Sequence, residues 1–321
     1  MMETITLDDV DRGLVHALHV DARAPFSKIA AVIGVSEHTV ARRYRRLRSA
    51  GAVRVVGAFV GTRLGQVAWT IRLRCTPDAA APIARSLAQR PDTFWVHLLS
   101  GGTEISCVTQ SRPAEDSLLL QKLARSNRVI SVTAHCMLQG FARPSGWAGT
   151  SFLTADQVAA LQPEAPPELD EPVELAEGDE ALLDALSLDG RAGHADLAAA
   201  TGWSESKVSR RMERLQRSGV LSYEVDMGPE VLGFHAEARL WMSVRPSALV
   251  TVAEALAAHR EVSFAAVTTG PTNLVVAVIC RDMPDLYRYL TERIGALDEI
   301  THVETAPVVR TIKRNGAVLP L

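Results

Sequence analysis

The sequence repeats itself at an offset of 168 residues, and this repeat constrains the fold more than any other feature. Residues 11–53 align without a gap onto residues 179–221, with identical residues at more than a third of the positions. The repeat continues downstream, with Leu64 over Leu232 and, after a slip of one residue, Pro77 over Pro246. The repeating unit covers about half of the 321 residues, so we predict two copies of one fold in the chain.

The best-marked segment of the first copy is a basic helix between two glycines. Gly34 suits a tight turn, Ser36 is a favoured N-cap residue, and Gly51 can end a helix in the left-handed conformation. A period of 3.6 residues separates an apolar face from a cationic one. The inward residues are Val40, Tyr44 and Leu47, and the outward ones are His38, Arg42, Arg45 and Arg46.

Such a helix could be only a solvated charged face, but the preceding sequence favours a helix-turn-helix. Two shorter segments with apolar faces precede it, so the basic helix is the last of three. Residues 53–59 alternate in character and predict a strand or wing beside the DNA phosphates. In the second copy the inward residues are Val208, Met212 and Leu215, and Glu213 replaces Arg45.

We predict that both modules contact double-stranded DNA, with arginines on phosphates and the start of each basic helix at base edges. The predicted contacts are Ser36, His38, Thr39, Arg42, Arg43, Arg45, Arg46 and Arg54 in the first module, and Ser206, Lys207, Arg210, Arg211 and Arg214 in the second. The net charge of −3 hides an asymmetry, because residues 1–150 carry +8 and residues 151–321 carry −11. We therefore expect the first module to bind DNA more strongly.

After each module the pattern reads strand, helix, strand, strand, helix, strand, which predicts a ferredoxin-like α+β sandwich. The predicted elements are 67–74, 78–89, 94–99, 104–110, 114–126 and 129–138 in the first copy, and 236–244, 247–259, 262–269, 273–280, 284–296 and 300–310 in the second. The predicted domains are a winged helix-turn-helix at 1–60, a sandwich at 61–140, an acidic Pro-rich linker at 141–175, a second winged helix-turn-helix at 176–228 and a second sandwich at 229–321. Within the linker, Thr154 can cap one short helix.

Composition and motifs give no sign of a membrane segment, metal centre or catalytic site. No stretch approaches the roughly 18 continuous apolar residues of a membrane helix, and the acidic first ten residues do not resemble a signal peptide. The four cysteines are scattered without a Cys-x-x-Cys pair. We therefore expect a cytoplasmic protein that is not an enzyme and has no cofactor.

Taken together, these residues resemble the Lrp/AsnC ("feast/famine") family of transcription regulators, which join a winged helix-turn-helix to a ferredoxin-like effector and oligomerisation domain. The matching positions are Asp11, Leu18, Asp21, Arg23, Ala30, Gly34, Ser36, Arg43, Leu47 and Gly51, and in the second copy Asp179, Leu186, Asp189, Arg191, Leu197, Gly202, Ser204, Arg211, Leu215 and Gly219.

The resemblance also implies a small effector, such as an amino acid, at a Gly-x-x-Asp turn between the second and third sandwich strands. The similar turns here are 101–104 and 270–273, in which Glu104 and Asn273 replace the aspartate. A glycine between strands is ordinarily just a hairpin turn. The residues implied in effector binding are Gly101, Glu104, Thr268, Gly270, Thr272 and Asn273.

An enzyme is the alternative, because the siroheme decarboxylases share this two-domain design, sometimes fused as two copies in one chain. Those enzymes typically carry an Arg/His-rich segment and Tyr-Asn-Leu-Trp at the first sandwich strand, and both are lacking at 66–71 and 234–241. The arginine-rich helices also favour a regulator.

For assembly, we predict that the two sandwiches of one chain pair as a pseudo-dimer, with two chains or more in solution. The alternative is exchange, in which each half pairs with a half of another chain. The sheet faces that the helices leave uncovered should be apolar and meet each other. We assign to them Trp69, Ile71, Trp95 and Ile105 in the first copy, and Trp241, Phe264 and Leu274 in the second.

Overall fold

A computed structural model describes residues 6–111, 128–142, 147–163 and 173–319. In the first copy the helices are α1 (Asp9–Val20), α2 (Phe26–Ile33), α3 (Glu37–Ser49) and α4 (Ala80–Ala88). The strands are β1 (Arg54–Phe59), β2 (Val67–Cys75), β3 (Thr93–Leu99), β4 (Glu104–Ser111) and β5 (Val129–Ala142). Helix α5 (Ala155–Leu161) follows. The helix predicted at 114–126 lies outside the described residues.

The second copy follows the same order wherever both copies are described. Its helices are α6 (Asp179–Leu188), α7 (His194–Thr201), α8 (Glu205–Arg217), α9 (Leu249–Ala257) and α10 (Met283–Arg288). Its strands are β6 (Leu221–Asp226), β7 (Ala236–Val244), β8 (Val262–Thr268), β9 (Leu274–Cys280), β10 (Ile300–Arg314) and β11 (Ala317–Val318). The helix predicted at 284–296 changes after Arg288 into a π-helical segment, Tyr289–Ile294.

The chain forms two compact units, and each contains residues of both copies. The helix-turn-helix unit comprises residues 1–64 and 150–232, and the sandwich unit comprises residues 65–149 and 233–321. Like parts of the two copies therefore associate with each other. The domain boundaries given above remain predictions along the sequence.

In the helix-turn-helix unit, local signals fix where the helices begin and end. Asp8 caps α1 through a reciprocal capping box with Asp11, and Ser36 caps α3 by accepting the Thr39 N–H at 3.1 Å. Gly34 ends α2 with a φ of 74°. The apolar faces of these helices meet in a core that contains Leu14, Leu18, Ile29, Val40 and Leu47, all 0% exposed.

The two modules of this unit share a two-stranded antiparallel ribbon. Strand β1 pairs with β6 from Arg54 opposite Asp226 to Phe59 opposite Leu221. Val225 of the second copy is buried in the core of the first module, and Phe59 of the first copy packs against the core of the second. The predicted wing strand exists, and its partner is the equivalent strand of the other module.

Two equivalent arginines hold the same modules together reciprocally. Arg23 donates hydrogen bonds to the carbonyls of Gly190 (2.5 Å) and Ala192 (3.1 Å). Arg191 donates to those of Ala22 (2.6 Å) and Ala24 (2.9 Å). The two modules are therefore related by an approximate twofold arrangement.

Helix α5 belongs to the helix-turn-helix unit, within the segment predicted as a linker. Thr154 and Gln157 form the predicted capping box, and Leu161 is fully buried in the core of the first module. The residues just before α5 are bound by His16, whose Nδ1 accepts the N–H groups of Phe152 (2.9 Å) and Leu153 (2.7 Å). This part of the predicted linker is thus packed structure.

In the sandwich unit, eight strands hydrogen-bond in a closed ring. The order is β3-β4-β2-β5-β8-β9-β7-β10, and β10 returns to pair with β3. Each copy contributes four antiparallel strands in the order of a ferredoxin-like sheet, β5-β2-β4-β3 and β10-β7-β9-β8. The copies join at β5·β8 and β10·β3, so the intrachain pairing of the sandwiches is present.

The helix-covered faces of the sheets form two apolar cores, and here the predicted faces were partly wrong. Trp69, Ile71 and Ile105 pack on the α4 side, and Leu274 packs on the α9 side. Trp241 does lie outside the helix-covered cores, in a small cluster with Leu99, Val275 and Ala306. The face away from the helices carries many polar residues, which the simple alternation of apolar residues did not reveal.

Among the described residues, no helix combines the length and apolar character needed to cross a membrane.

Candidate functional site

The candidate DNA-binding surface consists of helices α3 and α8. Ser36, His38, Arg42, Arg45 and Arg46 are exposed, whereas Thr39, Arg43 and Arg54 are half-buried. In α8, the predicted residues Ser206, Lys207, Arg210 and Arg214 are exposed and Arg211 is half-buried. Ser204 caps α8 by accepting the Lys207 N–H at 3.3 Å, as Ser36 does in α3.

Several predicted DNA contacts already bind carboxylates within their own unit. Asp11 is 0% exposed and accepts from Arg43 at 3.3 Å and from Arg46 at 2.5 Å. Arg54 pairs with the buried Asp226 on the neighbouring strand. These partners fix α3 and the ribbon, so Arg43 and Arg54 have structural contacts whether or not they also meet DNA.

The second module uses one arginine where the first uses two. Asp179 is 0% exposed and binds Arg211, whose Nη2 also donates to the Glu174 carbonyl at 2.8 Å. Arg214 makes no ion pair within the described part of the chain, although its counterpart Arg46 does.

The remaining arginines form the uncompensated part of the surface. In the ranges that the structure covers, Arg42, Arg45, Arg210 and Arg214 have no carboxylate partner within ion-pair distance. Arg45 and Arg210 direct Nε to carbonyls of their own helices, Ala41 and Ser206, both at 3.2 Å. Exposed guanidinium groups without carboxylates are available to bind phosphate oxygens.

Ion pairs fix the side chain of Glu104 in the first predicted effector turn. Gly101 is exposed, but Glu104 is only 8% exposed and binds Arg72 at 2.9 Å and Arg74 at 3.3 Å. Arg72 also binds Glu304 of the second copy at 2.5 Å, and this contact lowers the pKa of the Glu304 carboxyl. Glu104 therefore joins the two copies through Arg72.

Hydrogen bonds to the backbone fix the side chains of the second predicted effector turn. Asn273 accepts from the Val244 N–H and donates to the Val244 carbonyl, each at 2.9 Å. The Thr268 hydroxyl donates to the Thr272 carbonyl at 3.1 Å. Gly270 lies directly on the His135 ring, with a φ of +96°. Each turn thus sits beside a strand of the other copy.

A second polar group near these strands was not predicted from the sequence. His97 is 1% exposed, its Nε2 accepts from Arg239 at 2.6 Å, and its Nδ1 lies 3.1 Å from the Thr311 hydroxyl. Burial, together with the Arg239 charge, lowers the pKa of His97 well below its usual value, so the ring is neutral. The sequence signal for this polar group was the presence of charged residues, such as Arg72 and Arg239, inside otherwise apolar strands.

The arrangement defines a class of protein with paired helix-turn-helix modules and paired α+β sandwiches. Residues 7–48 and 175–216 match the AsnC-type helix-turn-helix domain, and residues 237–318 match the Lrp/AsnC ligand binding domain. An uncharacterized HTH-type transcriptional regulator of Pyrococcus abyssi is 30% identical over 145 residues, which cover 45% of this chain and 91% of that protein. Regulatory protein AsnC of Escherichia coli strain K12 is 30% identical over 146 residues, covering 42% and 93% respectively. The chain belongs to the Lrp/AsnC family of transcription regulators, in a tandem-duplicated form.

A solved structure with the same duplicated architecture is the siroheme decarboxylase NirDL. It superposes with a TM-score of 0.64 and 14% sequence identity, over 96% of this chain and 93% of that one. The same enzyme in complex with an iron-uroporphyrin III analogue gives a TM-score of 0.63. This likeness establishes the shared fold.

Proposed function

We propose that the protein is a sequence-specific DNA-binding transcription regulator and acts in the cytoplasm, where the DNA is. The observation that carries the proposal is the set of exposed, uncompensated arginines on two capped helices in one compact unit. Arg42, Arg45, Arg210 and Arg214 would neutralise phosphates, and residues at the start of α3 and α8 would meet base edges in the major groove.

Enrichment of genomic DNA fragments by the purified chain, followed by anisotropy titration of the enriched sequence, tests this function. Each neutralised phosphate contributes about 0.9 to the slope of log K against log salt concentration. Replacing Arg42 and Arg45 by alanine should therefore reduce that slope by about 2 and weaken binding. The comparison pair Arg210→Ala with Arg214→Ala also removes two exposed cations without carboxylate partners, and should reduce the slope less. Equal losses would contradict the predicted dominance of the first module.

We further propose that a small effector, such as an amino acid, acts at the turns that contain Gly101, Glu104, Thr268, Gly270, Thr272 and Asn273. The match of 237–318 to a ligand binding domain supports this proposal for the second turn. A thermal-shift screen of the purified chain against the amino acids tests it. If no compound raises the melting temperature, the effector proposal loses its support.

We propose that two chains associate in solution, so that an assembly carries four helix-turn-helix modules. The support is the family's oligomerisation domain, which here is already paired within one chain. Light scattering on the whole chain tests this: twice the chain mass of 34.7 kDa is expected, and a monomer would contradict it.

An enzyme that acts on siroheme is a second candidate, favoured by the duplicated architecture shared with NirDL. A titration of the purified chain with an iron tetrapyrrole separates the candidates. A saturable shift of the absorption band, with loss of the substrate carboxyl groups on incubation, would support the enzyme. An absorption band that does not shift as tetrapyrrole is added, together with tight DNA binding, would support the regulator.

A further inference from the structure

The helix-turn-helix unit presents two recognition helices from one approximately symmetric frame. The β1·β6 ribbon and the reciprocal Arg23 and Arg191 contacts relate the two modules by the same interactions in both directions. Both recognition helices have the same length of 13 residues and the same serine cap. A frame of this kind would place two equivalent helices on two DNA half-sites.

The residues suited to backbone contacts are the same in both helices. Arg42 corresponds to Arg210, and Arg46 corresponds to Arg214. All four are exposed. Phosphate contacts position a protein on the duplex without reading its sequence. The two modules can therefore dock on DNA in the same way.

The residues suited to base contacts differ at two positions in the first turn of the helix, although the exposed Glu37 and Glu205 are the same. His38 corresponds to Ser206 and Thr39 to Lys207. One turn further along, the exposed Arg45 corresponds to the exposed Glu213, so the charge at that position is reversed. Glu213 lies 3.8 Å from Arg217 and its side chain is 61% exposed, so its carboxylate can still reach a ligand.

We infer that the operator of this protein is non-palindromic, with two different half-sites in the inverted orientation of a twofold frame. This inference rests on the proposed DNA-binding function. Operator symmetry mirrors protein symmetry, so two identical helices read a palindrome and these two helices read different sequences. In the second half-site Lys207 would favour guanine, which offers O6 and N7, and Glu213 would repel the phosphate that Arg45 would bind in the first half-site. A homodimer whose two subunits carry identical recognition helices would read the same sequence in both half-sites. It could therefore not match such a site through direct base contacts.

Selection from a random DNA library with the full chain tests the inference. The expected product has two dissimilar half-sites at one fixed separation. The triple variant Ser206→His, Lys207→Thr and Glu213→Arg gives the second helix the residues of the first at these three positions. It should select a palindrome built from the first half-site. Each mismatched base pair weakens binding by about fivefold or more, so each protein should prefer its own site by at least that factor.

The reverse double variant, His38→Ser with Thr39→Lys, changes the first helix. It should alter only the half-site that the first helix reads. All five positions are at the surface or half-buried, and unchanged thermal melting would verify that the variants fold. A palindrome selected by the unaltered chain would overturn this inference alone. Selection of no sequence at all would overturn the proposed function with it. An unchanged site in the triple variant would overturn the assignment of these residues.

Discussion

The Arg72 guanidinium lies 4.2 Å from the centroid of the Trp241 ring, and the two residues occupy the same position in strands β2 and β7 of the two copies. Two identical chains would place either two arginines or two tryptophans at these positions. The opposed pair allows a cation–π contact, which contributes about 1–2 kcal/mol when it is shielded from water. The two sandwiches have therefore diverged into complementary partners.

Replacing Arg72 by methionine should destabilise the sandwich unit by about 2 kcal/mol or more. The change would remove the shorter ion pairs of Glu104 and Glu304, which would keep only the Arg74 contacts of 3.3 and 3.8 Å from this arginine pair, and would remove the contact with Trp241. The matched control is Arg74→Met, because the Arg74 side chain is 54% exposed and the Arg72 side chain 14%. Chemical denaturation measures the difference, and equal losses would argue against a special role for Arg72.

In the helix-turn-helix unit, Arg211→Met should cost more stability than the equivalent Arg43→Met. Both arginines pair with a buried aspartate, but Asp11 retains Arg46 when Arg43 is removed. Asp179 has Arg211 as its only ion-pair partner among the described residues, so its charge would be left buried. Removing one member of a buried pair costs about 3–5 kcal/mol. A thermal melt of the two variants makes the comparison, with the exposed Arg42→Met as control.

Much of this fold follows from sequence patterns that act locally. The serine caps, the glycine stops and the helical period of residues 37–49 and 205–217 are short-range signals, and the structure confirms them. The strand and helix order of the sandwiches also follows from local periodicity. Repetition of these signals at a fixed offset then identified the duplication.

The contacts between copies did not follow from the sequence, because nothing local encodes them. That β1 would pair with β6, and β5 with β8, depends on surfaces more than a hundred residues apart. The face assignment of Trp69, Ile71 and Ile105 failed because alternation along a strand separates its two faces but does not tell which face the helices cover. The predicted roles of the DNA and effector residues stay predictions, although Asp11, Asp179 and Arg72 explain why several of them are held in place.

Stability of the helix-turn-helix unit should fall as the pH is lowered from 7 toward 4. Burial lowers the pKa of His19 to about 4, while the unfolded chain titrates near 6.5. Between these values the unfolded state binds more protons than the folded state, so acid favours unfolding by up to about 3 kcal/mol. His16 acts in the same direction, because burial lowers its pKa and protonation of Nδ1 would break its bonds to Phe152 and Leu153.

Melting temperatures of the unaltered chain and of His19→Gln from pH 7.5 to 4.5 would measure this effect. The variant should lose part of the pH dependence, whereas the exposed His302→Gln should keep it. A variant with an unchanged profile would exclude His19 as a source.

The two effector turns should differ in their tolerance of a methyl group. Gly101 and Gly270 both have positive φ, so alanine at either position is strained by about 1 kcal/mol. At Gly101 the added Cβ meets no atom within 4 Å, but at Gly270 it would lie 2.0 Å from Nδ1 of His135. Gly270→Ala should therefore lower the melting temperature more than Gly101→Ala. If both lower it equally, the His135 ring moves aside at no cost.

Residues 1–145 expressed alone should form a homodimer. In the whole chain, the edge of β3 pairs with β10, where His97 is opposite Thr311, and the edge of β5 pairs with β8, where Met137 is opposite Thr268. Removing the second copy leaves both edges with unpaired N–H and C=O groups, which a second fragment can satisfy. Closing the ring with two fragments requires the twofold arrangement that the intact chain shows internally. Light scattering should give twice the fragment mass, and circular dichroism would confirm that the fragment is folded. A folded, soluble and strictly monomeric fragment would refute the view that each sandwich needs a partner sheet.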